Sequence, residues 1–204
     1  MEKYKIYFIM LIVGIQIIHF KGDVMKKVFL NLIIILVVMS LLLLNYSNQF
    51  TISDDTYQLQ ENLKVFINRT SKITNNVEIK QFVEIDNIKY VLFIMNDSLG
   101  FAVLTKGLNN KYKIYSAEYG GSGLFKGYIY KTNKAKYLII YGRNDNMKIN
   151  YVKVYLENKE YKINVPKEEY YLVYSKIPDE IKITFPDINN YKFYDANDEK
   201  IINY

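Results

Sequence analysis

The 204-residue sequence contains no cysteine, no tryptophan and a single histidine. Without cysteine there is no disulfide, no thiolate metal site, no cysteine nucleophile and no lipid-modified cysteine anchor. The one histidine, His19, lies inside an apolar run, which excludes a histidine-based triad and a multi-histidine metal site. An excess of positive charge is also missing where nucleic acid would need it. The net charge is +6, but residues 1–46 carry five lysines against Glu2 and Asp23. Residues 47–204 hold 22 Lys/Arg against 19 Asp/Glu, the same +3 spread over a chain more than three times longer. Phosphate neutralisation supplies most nucleic-acid affinity, so no nucleic-acid partner is expected.

Half of the residues are hydrophobic, and they are unevenly placed. Val28–Leu44 reads VFLNLIIILVVMSLLLL, seventeen residues without a charge. As a helix it is about 26 Å long, the short end of a membrane span. Lys26 and Lys27 precede it, and no Lys or Arg follows until Lys64. The positive-inside rule then keeps both lysines in the cytoplasm and sends the C-terminal part across the bilayer. Tyr46 sits where an interfacial aromatic belongs. A cleaved signal peptide is the competing reading. Its apolar core is normally shorter, and Asn45-Tyr46-Ser47-Asn48 is a poor cleavage site, so an uncleaved anchor over 25–46 is expected. A buried core helix fits poorly, because apolar residues occupy every face and caps are missing.

A further apolar run, Ile6–Phe20, is short for a span and contains Gln16 and His19. If it also crossed, Lys3 and Lys5 would be left outside, against the charge rule. Lys21–Met25 can be encoded as AAA-GGA-GAT-GTT-ATG, a purine-rich ribosome-binding sequence just before a start codon. Met25-Lys26-Lys27 then begins like an export signal. Residues 1–24 are therefore expected to be an extension of the gene model, with an extra membrane segment as the alternative.

Beyond the anchor lies a tyrosine-rich chain of about 160 residues, enough to bury roughly 70% of its unfolded surface. Ser47–Tyr57 is polar and aperiodic and reads as a linker, residues 47–57. Asp54 or Asp55 can cap a helix running to Asn68, with Leu59, Leu63 and Phe66 as a core-facing stripe. From Val77 the period becomes two. Strands are expected over Val77–Ile85, Ile88–Ile94, Gly100–Thr105 and Lys111–Glu118, with Asx- and Gly-rich turns between them. Such short connections imply an antiparallel meander covered on one face by the helix, a small α+β domain over 58–122.

Gly120-Gly121-Ser122-Gly123 is the strongest break and the expected domain boundary. It lacks the Gly-Lys-Ser/Thr of a P-loop and is not G-x-S-x-G, since position 124 is Leu. After it, strands are expected over Phe125–Tyr130, Lys136–Tyr141, Asn150–Leu156, Glu160–Val165, Tyr170–Tyr174, Glu180–Phe185, Tyr191–Tyr194 and Lys200–Ile202. Val152, Val154 and Leu156 share one face of their strand, and Tyr151, Lys153 and Tyr155 take the other. Seven or eight short strands with regular turns read as an antiparallel β-sandwich over 123–204. The expected fold class is mainly β: an N-terminal transmembrane helix, an α+β meander, then an immunoglobulin-like sandwich without the Cys…Trp…Cys of antibody domains.

Tyr141-Gly142-Arg143, Ile149, Val152-x-Val154, Tyr194-Asp195-x-Asn197 and Ile201 form a loose pattern. It resembles that of small exported proteins of Gram-positive bacteria with one N-terminal anchor, a C-terminal immunoglobulin-like domain and no established activity. Those proteins often carry Gly after the Asn, where this chain has Asp198. The resemblance covers about the last 80 residues and implies a fold and an envelope location, and no catalytic residues.

Constellations with chemistry are few. Asp195, Asn197 and Glu199 have the 1-3-5 spacing of a calcium loop, but Lys200 stands where an EF-hand needs Gly. That segment and Asn144-Asp145-Asn146 read as polar turns. Glu168-Glu169 and Asp179-Glu180 are adjacent carboxylates, which point to opposite faces of a strand. No catalytic, cofactor or metal residues are assigned, and an enzyme is not expected. Eighteen tyrosines fall in 47–204, of which Tyr151 and Tyr155 are the candidate surface-binding aromatics. The expected function is non-catalytic, with the bilayer as partner through residues 28–44. The exported β surface would meet an envelope protein or a cell-wall polymer. A regulatory or sensory membrane component and an envelope-acting enzyme are the alternatives.

Overall fold

In the computed structural model of the chain, the described residues are 23–69, 76–120 and 124–201. The segment Ile6–Phe20, with its expectation of an extra span, lies outside them. The chain divides into two compact units, one closing at Gln49 and the other opening at Phe50. The first contains helix α1 (Asp23–Ser47). Over Met25–Ser47 it is long and apolar enough to cross a membrane. Among the described residues, none of its apolar side chains from Met25 onward is buried: Leu36 and Leu42, for example, are 62% and 61% exposed.

The second unit begins with α2 (Thr56–Asn68). Asp55 is its N-cap, its carboxylate accepting from the Gln58 N–H at 2.8 Å. Leu59, Leu63 and Ile67 make its buried stripe, with Phe66 beside them and partly buried. Four strands follow: β1 (Val77–Ile85), β2 (Ile88–Met95), β3 (Ser98–Lys106) and β4 (Tyr112–Tyr119). They pair antiparallel in the order β1-β2-β3-β4, the meander read from the sequence. Asn96 and Asp97, the two residues between β2 and β3, both take positive φ (48° and 61°). That is the mirror-image turn whose twist suits a two-residue hairpin.

The remaining strands are β5 (Phe125–Lys131), β6 (Lys136–Arg143), β7 (Tyr151–Leu156), β8 (Lys159–Asn164), β9 (Tyr170–Ile177) and β10 (Tyr191–Tyr194). They form two three-stranded antiparallel sheets, β5-β6-β9 and β10-β7-β8. Strand periodicity assigns each side chain to a layer. In β2, Val91 and Phe93 pack toward α2, whereas Tyr90 and Leu92 face the opposite way. Tyr90 and Leu92 meet Ile139 and Tyr141 of β6 and Leu172 of β9. The alternate residues Leu138 and Ile140 pack instead against Val152, Val154 and Leu156 of β7. The order of layers is helix, four-stranded sheet, three-stranded sheet, three-stranded sheet. Segments that the sequence reading divides between a meander domain and a sandwich domain thus share a core. Gly120 has a φ of 87°, and the rest of the expected boundary, 121–123, lies outside the described residues.

Two expectations require correction. Glu180–Phe185 is not a strand. Pro178 and Pro186 flank it and offer no N–H to a ladder, so it touches β5 through one backbone bond, Ile129 N–H to the Thr184 carbonyl (2.9 Å). Ile181 is buried, while Phe185 is 69% exposed. The stretch expected as a linker, 47–57, is instead structured. Ser47 belongs to α1, and Phe50 and Ile52 are buried. Ile52 exchanges two backbone hydrogen bonds with Tyr112 (3.1 and 2.8 Å), an added bridge on the edge strand β4. Its aperiodic sequence hides this because a single bridge buries only alternate residues. At the C-terminal end, Lys200 makes an isolated bridge to Tyr194, and residue 202 lies outside the described residues.

Candidate interaction surface

The outer face of β10-β7-β8 sets tyrosines, lysines and a glutamate in register with one another. The inward residues of β7 are the three apolar ones, so Tyr151, Lys153 and Tyr155 turn outward. Register then fixes their neighbours. Tyr194 and Asn164 stand opposite Tyr151, Lys192 and Lys162 stand opposite Lys153, and Glu160 stands opposite Tyr155. Lys200 extends the first of these rows beyond Tyr194. The middle row is three lysines, one per strand, directly opposite one another.

The tyrosines organise these charges. Tyr151 and Tyr194 stack with ring centroids 4.9 Å apart. The Lys162 ammonium lies 3.8 Å from the Tyr151 ring centroid, Lys192 lies 4.5 Å from that of Tyr155, and Lys153 lies 5.6 Å from that of Tyr194. Lys153 also pairs with Glu160 at 2.9 Å. Hydrogen bonds from Lys153 and Tyr155 hold the Glu160 carboxyl below the usual carboxylate range. The same contacts raise Lys153 and Tyr155, so the ion pair is maintained across the neutral range. Lys162 and Lys192 have no ion-pair partner among the described residues. The second carboxylate at this face is Asp198, which accepts from the Tyr151 hydroxyl at 2.8 Å.

Of the two candidate aromatics, Tyr151 is on the expected face but only 4% exposed, because Tyr194 and Lys162 cover it. Its role is to support Tyr194 and Lys162. Tyr155 is half-buried beneath Lys192. The topology residues Lys26 and Lys27 are exposed in the opening turns of α1. The lysine row escaped the sequence reading because its members lie on strands separated by up to 39 positions.

Other constellations are occupied locally. Asp195 accepts from the N–H groups of Asn197 and Glu199, both at 2.9 Å, which turns its carboxylate onto its own hairpin. Asn144 is buried and closes its turn through the Ile149 N–H (2.8 Å) and carbonyl (3.1 Å), while Asp145 pairs with Arg143 at 2.9 Å. Glu169 faces Arg143 at 3.4 Å and Glu168 accepts from Gln81, so these two carboxylates diverge. Between the first two sheets, Glu118 accepts from the Tyr128 and Tyr141 hydroxyls. Burial, reinforced by Glu118, raises both phenols, which suits them to hydrogen bonding rather than to proton transfer. Compared with known proteins, the chain matches no family model, no curated protein and no solved structure.

Proposed function

We propose that this protein is anchored in a membrane by residues 28–44, with Lys26 and Lys27 on the cytoplasmic side and the unit from Phe50 onward outside. It acts without catalysis, presenting a β surface to an envelope protein or polymer, as in the exported Gram-positive proteins that it resembles. The observation carrying the reading is the contrast between the two units. Among the described residues no apolar side chain of α1 from Met25 onward is buried, whereas the second unit encloses three apolar clusters of its own. A helix apolar on every face and uncovered by protein is solvated by lipid, and the charge asymmetry orients it. Two antiparallel three-stranded sheets enclosing a common apolar cluster support the immunoglobulin-like reading of 123–204.

The absence of cysteine provides a clean test. Ser116 is exposed on β4. A Ser116→Cys full-length protein is expected to react with a membrane-impermeant maleimide in intact cells. Reaction only after lysis would place the β unit on the cytoplasmic side and end the proposal.

A further inference from the structure

We infer that the outer face of β10-β7-β8 binds an anionic polysaccharide, with Lys153, Lys162 and Lys192 as the anion-contacting row. The inference rests on the reading that this surface is presented for interaction, and it specifies the partner. Three like charges directly opposite one another across a sheet oppose folding. The fold offsets this only in part: Lys153 is paired with Glu160, whereas Lys162 and Lys192 have ring contacts but no ion-pair partner among the described residues, and the side chains that hold the sheet in place are the inward Val152, Val154, Phe193 and Ile163. A cost retained at a surface, and not required by packing, points to a ligand that offsets it.

The geometry defines that ligand. Adjacent strands lie about 4.8 Å apart, so the row spans roughly 10 Å across a face and not within a pocket. A flat, linear array of point charges suits a chain with repeated anionic groups better than a small molecule, which needs a concave site. Tyr194 and Tyr155 lie on either side of the row, half-buried, where their rings can pack against the C–H faces of sugar units. Contact with tyrosine rings positions the ammonium groups of Lys162 and Lys192, neither of which has an ion-pair partner among the described residues.

Nucleic acid fits less well. The only arginines, Arg69 and Arg143, lie off this sheet, so the planar bidentate recognition of phosphate is missing.

The test uses the full-length chain in nanodiscs of uncharged phosphatidylcholine at low ionic strength. The probes are polygalacturonate for carboxylates, dextran sulfate for sulfate esters, neutral dextran and a thymidine oligonucleotide. Two variants remove equal charge: Lys153→Gln/Lys162→Gln/Lys192→Gln on the face, and Lys111→Gln/Lys131→Gln/Lys167→Gln at exposed positions off it. Polygalacturonate or dextran sulfate is expected to bind and dextran not to bind. The face variant should weaken that binding about a hundredfold and the control variant by about twofold or less. The face variant should also unfold within a few degrees of the wild type, since the relieved repulsion is offset by the lost Lys153–Glu160 pair and ring contacts. Equal losses in both variants would mean binding to net charge alone and overturn the inference. So would equal binding of neutral dextran, tighter binding of the oligonucleotide through the same lysines, or no binding of any probe. The two proposals fail separately. If the Ser116→Cys protein is labelled in intact cells and no polymer binds, the polyanion alone is discarded. Face-specific binding with labelling only after lysis discards the orientation alone.

Discussion

Lys89 of β2 is 2% exposed, a charge that folding has removed from water. Its ammonium donates to Asp54 and lies 4.3 and 4.9 Å from the ring centroids of Tyr112 and Phe82. Asp54 belongs to the segment that leads into α2, and its side chain remains 60% exposed. The pair is therefore asymmetric. Removing Asp54 strands a buried cation, whereas removing Lys89 leaves a carboxylate that water can solvate. Stranding a fully buried charge costs about 3–5 kcal/mol. Here solvent already screens the acid and two ring faces remain, so Asp54→Ala should cost about 2 kcal/mol. For a unit of this size that lowers the thermal midpoint by about 4–8 °C. Lys89→Met keeps the apolar stem and should cost about 1 kcal/mol or less. The double variant should resemble Lys89→Met alone, a coupling of about 2 kcal/mol. Denaturant unfolding of the full-length protein in detergent measures all four species. Tyrosine fluorescence serves as a probe beside circular dichroism, since there is no tryptophan. Additive effects, or Lys89→Met costing more than Asp54→Ala, would refute the account of a buried cation retained by its partner.

A Cβ at Gly127 would sit 1.9 Å from the Tyr191 hydroxyl oxygen. Gly127→Ala should therefore destabilise by about 1–3 kcal/mol, and less in a Tyr191→Phe background, where the nearest colliding atom is gone and the ring carbon at 2.7 Å remains; thermal unfolding compares them. Asp198 has a φ of 62° and accepts from Tyr151. Asp198→Gly exchanges a lost hydrogen bond for relieved backbone strain and should be close to neutral, whereas Asp198→Ala should cost about 1–2 kcal/mol. Burial, and then the charge of Glu118, pushes Tyr130 up to about 12, and Tyr90, Tyr128, Tyr141 and Tyr191 are raised further. The folded state holds these protons more tightly than the unfolded chain, so stability is intact below the ordinary tyrosine value near 10.0 and falls as pH rises toward 12. Tyrosinate absorbance should rise together with loss of circular dichroism. Burial alone would raise Glu84, but hydrogen bonds from Lys106 and Tyr112 outweigh it and hold the carboxyl below 4.5. Its contribution is present above that value and lost as pH falls through the lowered one, and Glu84→Gln should flatten the acid limb of the unfolding profile.

Much of the fold was legible locally. The uncharged run of α1, the Asp55 cap, the alternation in β7 and the Asn96-Asp97 hairpin are each decided within a few residues. Hydrophobic period and the tolerance of Asx residues for positive φ act over that range. The failures share a different range. Ile52 is buried because Tyr112, sixty positions away, offers a bare strand edge. Glu180–Phe185 alternates like a strand, yet between Pro178 and Pro186 it reaches β5 through the Ile129 N–H to Thr184 carbonyl bond and forms no ladder. Tyr151 points outward as expected and is covered all the same, since antiparallel register brings Tyr194 and Lys162 over it.

The amino-acid order alone therefore settled α1, α2 and most of the strands, which face of β7 turns inward and where apolar length suffices for a bilayer, because those properties follow from neighbouring residues. It could not reveal that three separate lysines align in one row, that Lys89 is enclosed by rings, or that two expected domains share a core. Each of those depends on which strand lies beside which, and pairing between distant strands is set by the collective burial of side chains that no local window contains.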